Sequence, residues 1–321
     1  MNQDDFSRGA IVRGHPSAAR KVCDWRKAFE TYLGADATST DEAYLSAFTY
    51  PAAAFIEHVK AHGFGKYPGA VYARYISMDF DHGADPAAAI EGAQKMLSWL
   101  EATAQAELNA VTACYSGSKG AHIRLPVAGT LVCAPSPHFP KICKAFALLL
   151  ARAAGAAHLD AGIYDAARIL RLPNTRHPKS GRLCVPFTGD DFVDTSPEAI
   201  MTAGDGDLRD GLPNTDGGAW CDWTLQDYWN RATAYVEKQA NTIPAASAKT
   251  DLNRATLEFI QAGAANGERH NRLFQAAANL GEFNANERLA RALLMEAARD
   301  SGLPLSEIEA TIKAGVAHGR A

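Results

Sequence analysis

The stretch that most narrows the fold is Ala70–Met78, AVYARYISM, which runs directly into Asp79-Phe80-Asp81-His82. Its β-branched and aromatic content specifies a strand. Side chains alternate along a strand, so Asp79 and Asp81 point to one side and Phe80 to the other. Two carboxylates a few Å apart repel each other, and a divalent cation between them relieves that repulsion. Oxygen-only ligands favour Mg²⁺ or Mn²⁺ over zinc. A strand-end turn with two solvated acids is the plainer alternative for this segment taken alone.

The surrounding pattern predicts a mixed α and β region. Asp85-Pro86 opens a helix to about Glu107. Val111–Tyr115 is a short strand, Gly117–Gly120 a turn and His122–Pro126 the returning strand. Another helix spans about 140–154, and a basic, loop-rich segment follows from Asp160 to Phe187. The first 65 residues carry helical spacing in Val22, Trp25, Phe29 and Leu33, with a second apolar set in Tyr44, Phe48, Phe55 and Val59. Thr38-Ser39-Thr40-Asp41 reads as the turn between them. Residues 204–219 are rich in Gly and Asp and read as loop, before an aromatic knot of Trp220, Trp223, Tyr228 and Trp229 and a helix to about Gln239. The sequence therefore divides into 1–240, with a helical part over 1–65 and a motif-bearing core over 66–200, a linker at 241–250, and a helical bundle at 251–321. Leu273, Phe274, Ala277, Leu280, Leu289, Leu293, Leu294, Ile308 and Ile312 are the expected core of that bundle.

Composition sets limits on function. Hydrophobic residues are 47% and charged residues 21% of the chain, which excludes wholesale disorder. A net charge of −4 excludes a generally basic nucleic-acid binder but leaves room for a local basic groove. The longest apolar run, Ala145–Ala151, is too short to cross a bilayer, so no membrane association is expected. The acidic, polar start MNQDDFSRGA is unlike a secretory signal, and a cytoplasmic location is expected. None of the six cysteines forms Cys-x-x-Cys. Cys133-x4-His138-x4-Cys143 is the nearest metal-like spacing, with Cys143 equally suited to the apolar face of a helix, and no structural zinc is expected. There is no Walker A loop, so no ATP-driven motor is recognisable.

Two further segments carry chemistry. In Tyr115-Ser116-Gly117-Ser118-Lys119-Gly120-Ala121-His122, two serines and two glycines bracket a lysine in a tight turn. Such a turn aims backbone N–H groups, hydroxyls and an ammonium at a phosphate, and His122 can donate to the same anion. In the segment from Leu159 to Arg182, Asp160 and Asp165 precede Arg168, Arg171, Arg176, His177, Lys179 and Arg182. Arg168 and Arg171, three apart, suit two guanidiniums converging on one anion. Each segment also has a plain reading, as a polar hairpin turn and as a solvated basic loop. Together with the paired acids they supply what two-metal nucleotidyl transfer needs.

The three segments resemble the three signature motifs of the archaeo-eukaryotic primase superfamily. SGSKGAHIRLP is similar to the second motif of the polymerase domain of bacterial end-joining ligases. LDAGIYDAARILRLPNTRHPKSGRLCVPF resembles the third motif of primase small subunits and primase-polymerases. The resemblance covers about residues 70–190 and implies an α/β (α+β) catalytic domain with a mixed sheet and an RRM-like core. It makes Asp79, Asp81 and Asp160 the metal-binding acids, with Asp165 a competitor for the third place. It gives Ser116, Ser118, Lys119, His122, Arg168, Arg171, His177 and Lys179 to the nucleotide phosphates, with His122 also in the catalytic set. In the strict second motif a serine stands two before the histidine; here that position is Gly120, so either Ser116 or Ser118 supplies the hydroxyl. The tail, from NGERHNRLFQ onward, is similar to the helical C-terminal module of phage and plasmid primases, and Arg269, His270 and Arg272 are its candidates for holding an initiating nucleotide or template.

The expected activity is primer synthesis on single-stranded DNA from NTP or dNTP substrates with two Mg²⁺ or Mn²⁺. A helicase would act in trans or in a longer natural chain. The alternatives are a gap-filling or end-joining repair polymerase and a non-catalytic origin-binding initiator.

Overall fold

The computed structural model describes the chain apart from residues 1–4, 35–40, 66, 208–222, 242–251, 266 and 321. The chain divides into two compact units, Met1–Asn241 and Thr242–Ala321. The described strands, all in the first unit, are β1 (Arg8–Arg13), β2 (Lys21–Asp24), β3 (Ala43–Ser46), β4 (Tyr75–Asp81), β5 (Thr112–Tyr115), β6 (Gly120–Pro126), β7 (Ile169–Arg171) and β8 (Pro186–Thr188). They form two four-stranded sheets, ordered β2-β1-β3-β7 and β4-β6-β5-β8. Its helices are α1 (Trp25–Leu33), α2 (Ala52–His62), α3 (Pro86–Ala104), α4 (Phe139–Ala154), α5 (Gly189–Asp194), α6 (Pro197–Ala203) and α7 (Trp223–Asn241). The α/β class is as the sequence predicts, but every described pairing is antiparallel rather than mixed.

The second sheet explains itself through alternation. On β4, Ile76, Met78 and Phe80 are fully buried, as are Ile123 and Leu125 of β6 and Ala113 and Tyr115 of β5. These side chains share one core with α3 and α4. Full burial of residues such as Ile76, Met78 or Phe80 stabilises by about 1.5–3 kcal/mol each. The intervening residues Ser77, Asp79, Asp81, Cys114, His122 and Arg124 consequently share the opposite, polar face. β4 begins at Tyr75, later than the composition suggested, and takes in both acids. α3 starts as expected: Asp85 caps it by accepting from Ala88 N–H at 3.2 Å, and Pro86 fills the first turn.

The N-terminal 65 residues are not helical throughout. Trp25, Phe29 and Leu33 do form the buried stripe of α1. Val22, however, lies in β2, and Tyr44 lies in β3. Both strands are four residues long, too short to display alternation, and their pairing with β1 is a tertiary contact that local spacing does not carry. Thr38–Thr40 of the expected turn, residues 208–219 of the expected loop, Trp220 and nearly all of the 241–250 linker lie outside the described residues.

The second unit is a bundle of α8 (Arg254–Ala262), α9 (Arg269–Glu282), α10 (Glu287–Asp300) and α11 (Leu305–Arg320). Leu273, Ala277, Leu280, Leu294, Ile308 and Ile312 are its core. Phe274 is half-buried against His318. Leu289 and Leu293 are exposed, because Ala290, Leu294, Ala297 and Ala298 form the buried stripe of α10. Among the described residues no helix is long and apolar enough to cross a membrane.

Candidate active site

Strand register assembles the acids. Across the β4–β6 ladder Asp79 pairs with His122 and Asp81 with Gly120, and across β5–β6 Cys114 pairs with His122. The free edge of β4 is bridged by Leu159 opposite Phe80. There Asp160 N–H donates to Asp79 C=O at 2.7 Å and Asp81 N–H donates to His158 C=O at 2.9 Å. One transverse row of the sheet therefore reads Asp160, Asp79, His122, Cys114. Gly120 is required at its place in this ladder, since a Cβ there would stand 1.9 Å from Phe80 C=O.

The turn between β5 and β6 is organised by Ser116. Its Oγ accepts from Gly120 N–H at 3.2 Å and Ser118 N–H at 3.4 Å. That leaves the hydroxyl proton of Ser116 to donate outward. Gly117, with φ +83°, packs so tightly that a Cβ would lie 2.9 Å from Arg182 C=O and 3.2 Å from His177 Cβ. Ser180 Oγ donates to Gly117 C=O at 2.6 Å. These contacts clamp the serine-rich turn against the loop that carries His177.

The arginines arrive from the other sheet. β3 pairs with β7 so that Tyr44 stands opposite Arg171. Arg171 Nη2 donates to Tyr44 Oη at 2.6 Å, Nη1 donates to Arg176 C=O at 3.1 Å, and Glu42 lies 3.7 Å away. Tyr44 Oη donates in turn to Glu42. Arg171 is therefore held in place and its charge balanced. Arg168, more open, sits 3.8 Å from Asp160. Arg124 is buried between the sheets, donating to Arg171 C=O at 2.8 Å and to Cys114 Sγ at 3.1 Å.

One open cleft of roughly 230 Å³ is lined by Asp79, Asp81, Ser116, Ser118, Lys119, His122, Arg168, Arg171 and His177, together with Tyr44, Ile169 and Leu170. Nine of the expected site residues thus share one cleft. Asp160 stands beside it on the β4 edge rather than among the lining residues. Lys179 is not part of the lining; its N–H donates to His177 Nδ1 at 3.3 Å. Asp165 accepts from Ala167 N–H within its own loop. In the helical unit, His270 contacts Glu307 at 2.9 Å, Arg269 donates to Ser301 C=O at 3.2 Å, and Arg272 lies 3.5 Å from Glu268.

Sequence reasoning missed Tyr44, Glu42 and Arg124. Arg124 had a signal, for it follows His122 by two residues and so shares its face. Tyr44 and Glu42 had none, because their segment carried helical spacing.

The electrostatics follow from burial and crowding. Asp79 is pushed up to about 7, first by burial and then by Asp81 and Asp160. Asp81 is raised by burial, with Lys119 opposing and Asp160 adding. His122 is lowered to about 3 by burial and then by Arg124 and Arg171, so it is neutral at working pH. Its Nε2 is 3.3 Å from Asp79 Oδ1, while its Nδ1 is buried without a partner among the described residues. His177 is lowered by burial and by Arg171; its Nδ1 accepts from Lys179 and Ser180 N–H groups, which assigns the remaining proton to Nε2.

Among the described residues, Asp79 Oδ1 is buried with no hydrogen-bond donor. An orphaned carboxylate oxygen, two neighbouring acids and an all-oxygen donor set fit a divalent cation. Among the described residues, however, no three His, Cys, Asp or Glu side chains are already gathered into a metal-holding cluster. Asp160 has one oxygen turned to Gly162 N–H at 2.7 Å and the other toward Arg168.

No protein-family model matches the chain, and no curated protein matches it either. Among solved structures, one described as "Crystal structure of primase RepB'" is similar at 14% identity and a TM-score of 0.38, covering 98% of this chain and 93% of that one. Overlap at that level leaves the function to be argued from the cleft.

Proposed function

We propose that the chain is a template-directed nucleotidyltransferase, a DNA primase or primase-polymerase that makes primers on single-stranded DNA. The observation that carries this reading is the single cleft that collects the paired acids, the serine-rich turn and the arginine segment. A solvated turn, a polar hairpin and a basic loop would have no reason to converge.

Under this reading Asp79 and Asp81, joined by Asp160, hold Mg²⁺ or Mn²⁺. When bound, that metal promotes ionisation of the attacking hydroxyl and stabilises charge on the leaving pyrophosphate. The chain's own groups orient the substrate. Lys119 and Arg168 meet the triphosphate as free or nearly free cations. Ser116 and Ser118 offer hydroxyl donors, and neutral His177 donates from Nε2. Neutral His122 offers one N–H donor without adding charge next to Asp79. Arg171 is presented as a fixed donor whose net charge Glu42 offsets. The helical unit then serves initiation, and a helicase acts in trans or within a longer polypeptide.

The test is a primer-free synthesis assay with single-stranded DNA, γ-labelled nucleotides of both sugar types and Mg²⁺ or Mn²⁺. Short products that keep the 5′-triphosphate are expected and would show which sugar starts the chain. Extension of an annealed primer without initiation would make the protein a repair polymerase. No incorporation in either format would refute the catalytic reading. Asp79→Ala and Asp81→Ala should each abolish synthesis while leaving DNA binding in place.

A further inference from the structure

From Phe6 to Cys23 the chain contains no acidic residue but holds Arg8, Arg13, His15, Arg20 and Lys21. The register Ile11 opposite Lys21 makes this segment a hairpin of β1 and β2. Both legs of its tip are tied to residues beside the cleft. Gly14 N–H donates to Glu42 C=O at 2.6 Å, two residues from Tyr44. Arg20 Nη1 donates to Ala167 C=O at 2.8 Å, next to Arg168. The tip is thereby fixed at the cleft edge, and residues 15–19 between these anchors are exposed.

Its cations divide into two kinds. Arg8 pairs with Asp24 at 3.6 Å, and Arg20 is committed to Ala167. Arg13 and Lys21 are exposed, lie on the face of the first sheet opposite the one that carries Tyr44 and Arg171, and have no ion-pair partner among the described residues. They point to a polyanion longer than a nucleotide, because the triphosphate is already met by Lys119, Arg168 and His177 inside the cleft. We propose that this hairpin is a docking surface for single-stranded DNA entering the cleft, with Arg13 and Lys21 on its phosphates. The inference deepens the polymerase reading by naming where the template strand is held.

The experiment measures binding of fluorescein-labelled oligo(dT) by anisotropy across a KCl series. The variant is Arg13→Gln with Lys21→Gln. The control is Lys141→Gln with Lys144→Gln, which removes the same charge from exposed positions of α4, the helix packed on the apolar side of the second sheet. Losing two phosphate contacts on a single strand should reduce the salt slope by about 1.4 and weaken binding about 10-fold or more at low salt. The control should stay within about 2-fold of the wild type, since it loses no phosphate contact. Unchanged affinity and slope in the hairpin variant, or an equal loss in the control, would overturn the proposal, as would tighter binding of duplex than of single strand. Circular dichroism and binding of a fluorescent nucleotide separate a lost DNA contact from a collapsed cleft. If the wild type makes no polymer but the hairpin variant alone loses DNA affinity, the hairpin proposal stands and the polymerase reading falls. If synthesis occurs and the variant binds DNA normally, only the hairpin proposal falls.

Discussion

Replacing Asp79 with Asn should stabilise the first unit while abolishing synthesis, and the gain should depend on pH in a defined way. Folding moves the Asp79 carboxyl from an ordinary 3.8 to about 7, because burial and the neighbouring Asp81 and Asp160 all disfavour its charge. A raised acid pKa means that the folded state binds the proton more tightly than the unfolded state. The wild type therefore loses stability as pH rises from about 4 to about 7, with no further loss above that range. At 1.36 kcal/mol for each pKa unit, the full penalty is at most about 4 kcal/mol above pH 8. The side chain is 17% exposed, so little of this is screened by solvent. Asn removes the ionisation and keeps the shape. The assay is urea unfolding of both proteins in EDTA from about pH 4 to pH 8.5. All five tryptophans lie in Met1–Asn241, so tryptophan fluorescence reads that unit alone. The difference between the variant and the wild type should grow with pH and level off near pH 8. Millimolar Mg²⁺ should narrow it, since a bound cation stabilises only the wild type. A difference independent of pH, or an Asn variant less stable at pH 8, would refute this account of the site.

Three further outcomes follow from the same geometry. Lys119→Ala removes a charge-assisted contact of about 1.5–3 kcal/mol, so KM for nucleotide should rise roughly 10- to 150-fold with a smaller change in kcat, read by steady-state primer extension. Glu42→Gln keeps the hydrogen bond from Tyr44 but unbalances Arg171; triphosphate affinity should rise several-fold while thermal stability falls, measured by nucleotide titration and a melting curve. Gly120→Ala forces a Cβ to within 1.9 Å of Phe80 C=O and should cost about 3 kcal/mol or more, seen as a lowered urea midpoint; retention of wild-type stability would contradict the β4–β6 register.

Some parts of this molecule were readable from the sequence because they rest on local rules. Asp85-Pro86 is a cap and a first turn, and α3 begins there. Period-two alternation put Asp79 and Asp81 on one face, and β4 keeps them there. The serine-glycine turn was legible for the same reason, since Ser116 and Gly117 act within four residues of each other. The features that were not readable depend on long-range pairing. β3 is a four-residue strand, and only its pairing with β1 and β7 brings Tyr44 opposite Arg171. The placement of Asp160 beside Asp79 comes from a backbone bridge between segments about eighty residues apart, which no spacing rule encodes. Lys179 is exposed and does not line the cleft, while its backbone N–H shapes the turn around His177. The sequence could not separate cations that meet substrate from those that build the loop.

That separation is what the site depends on. Residues 108–189 contain ten Lys and Arg side chains against two Asp, although the whole chain is net negative. So large an excess would attract any polyanion if every cation were free. Several are not free. Arg171 is balanced by Glu42 and held by Tyr44, while Arg124 is buried against Cys114. These two act on His122 instead, adding to burial to keep its imidazole neutral. A protonated His122 would place a positive charge 3.3 Å from Asp79 Oδ1 and draw the carboxylate into an ion pair. A neutral His122 makes no such ion pair, and Asp79 Oδ1, buried without a donor among the described residues, can gain from a divalent cation. Exposed Lys119 and half-exposed Arg168 are the cleft cations that stay accessible. The buried arginines thus keep His122 neutral, and under the proposed reading the accessible cations bind the triphosphate. A variant that exchanged those roles, freeing Arg171 while removing Lys119, should recover nucleotide binding without recovering catalysis.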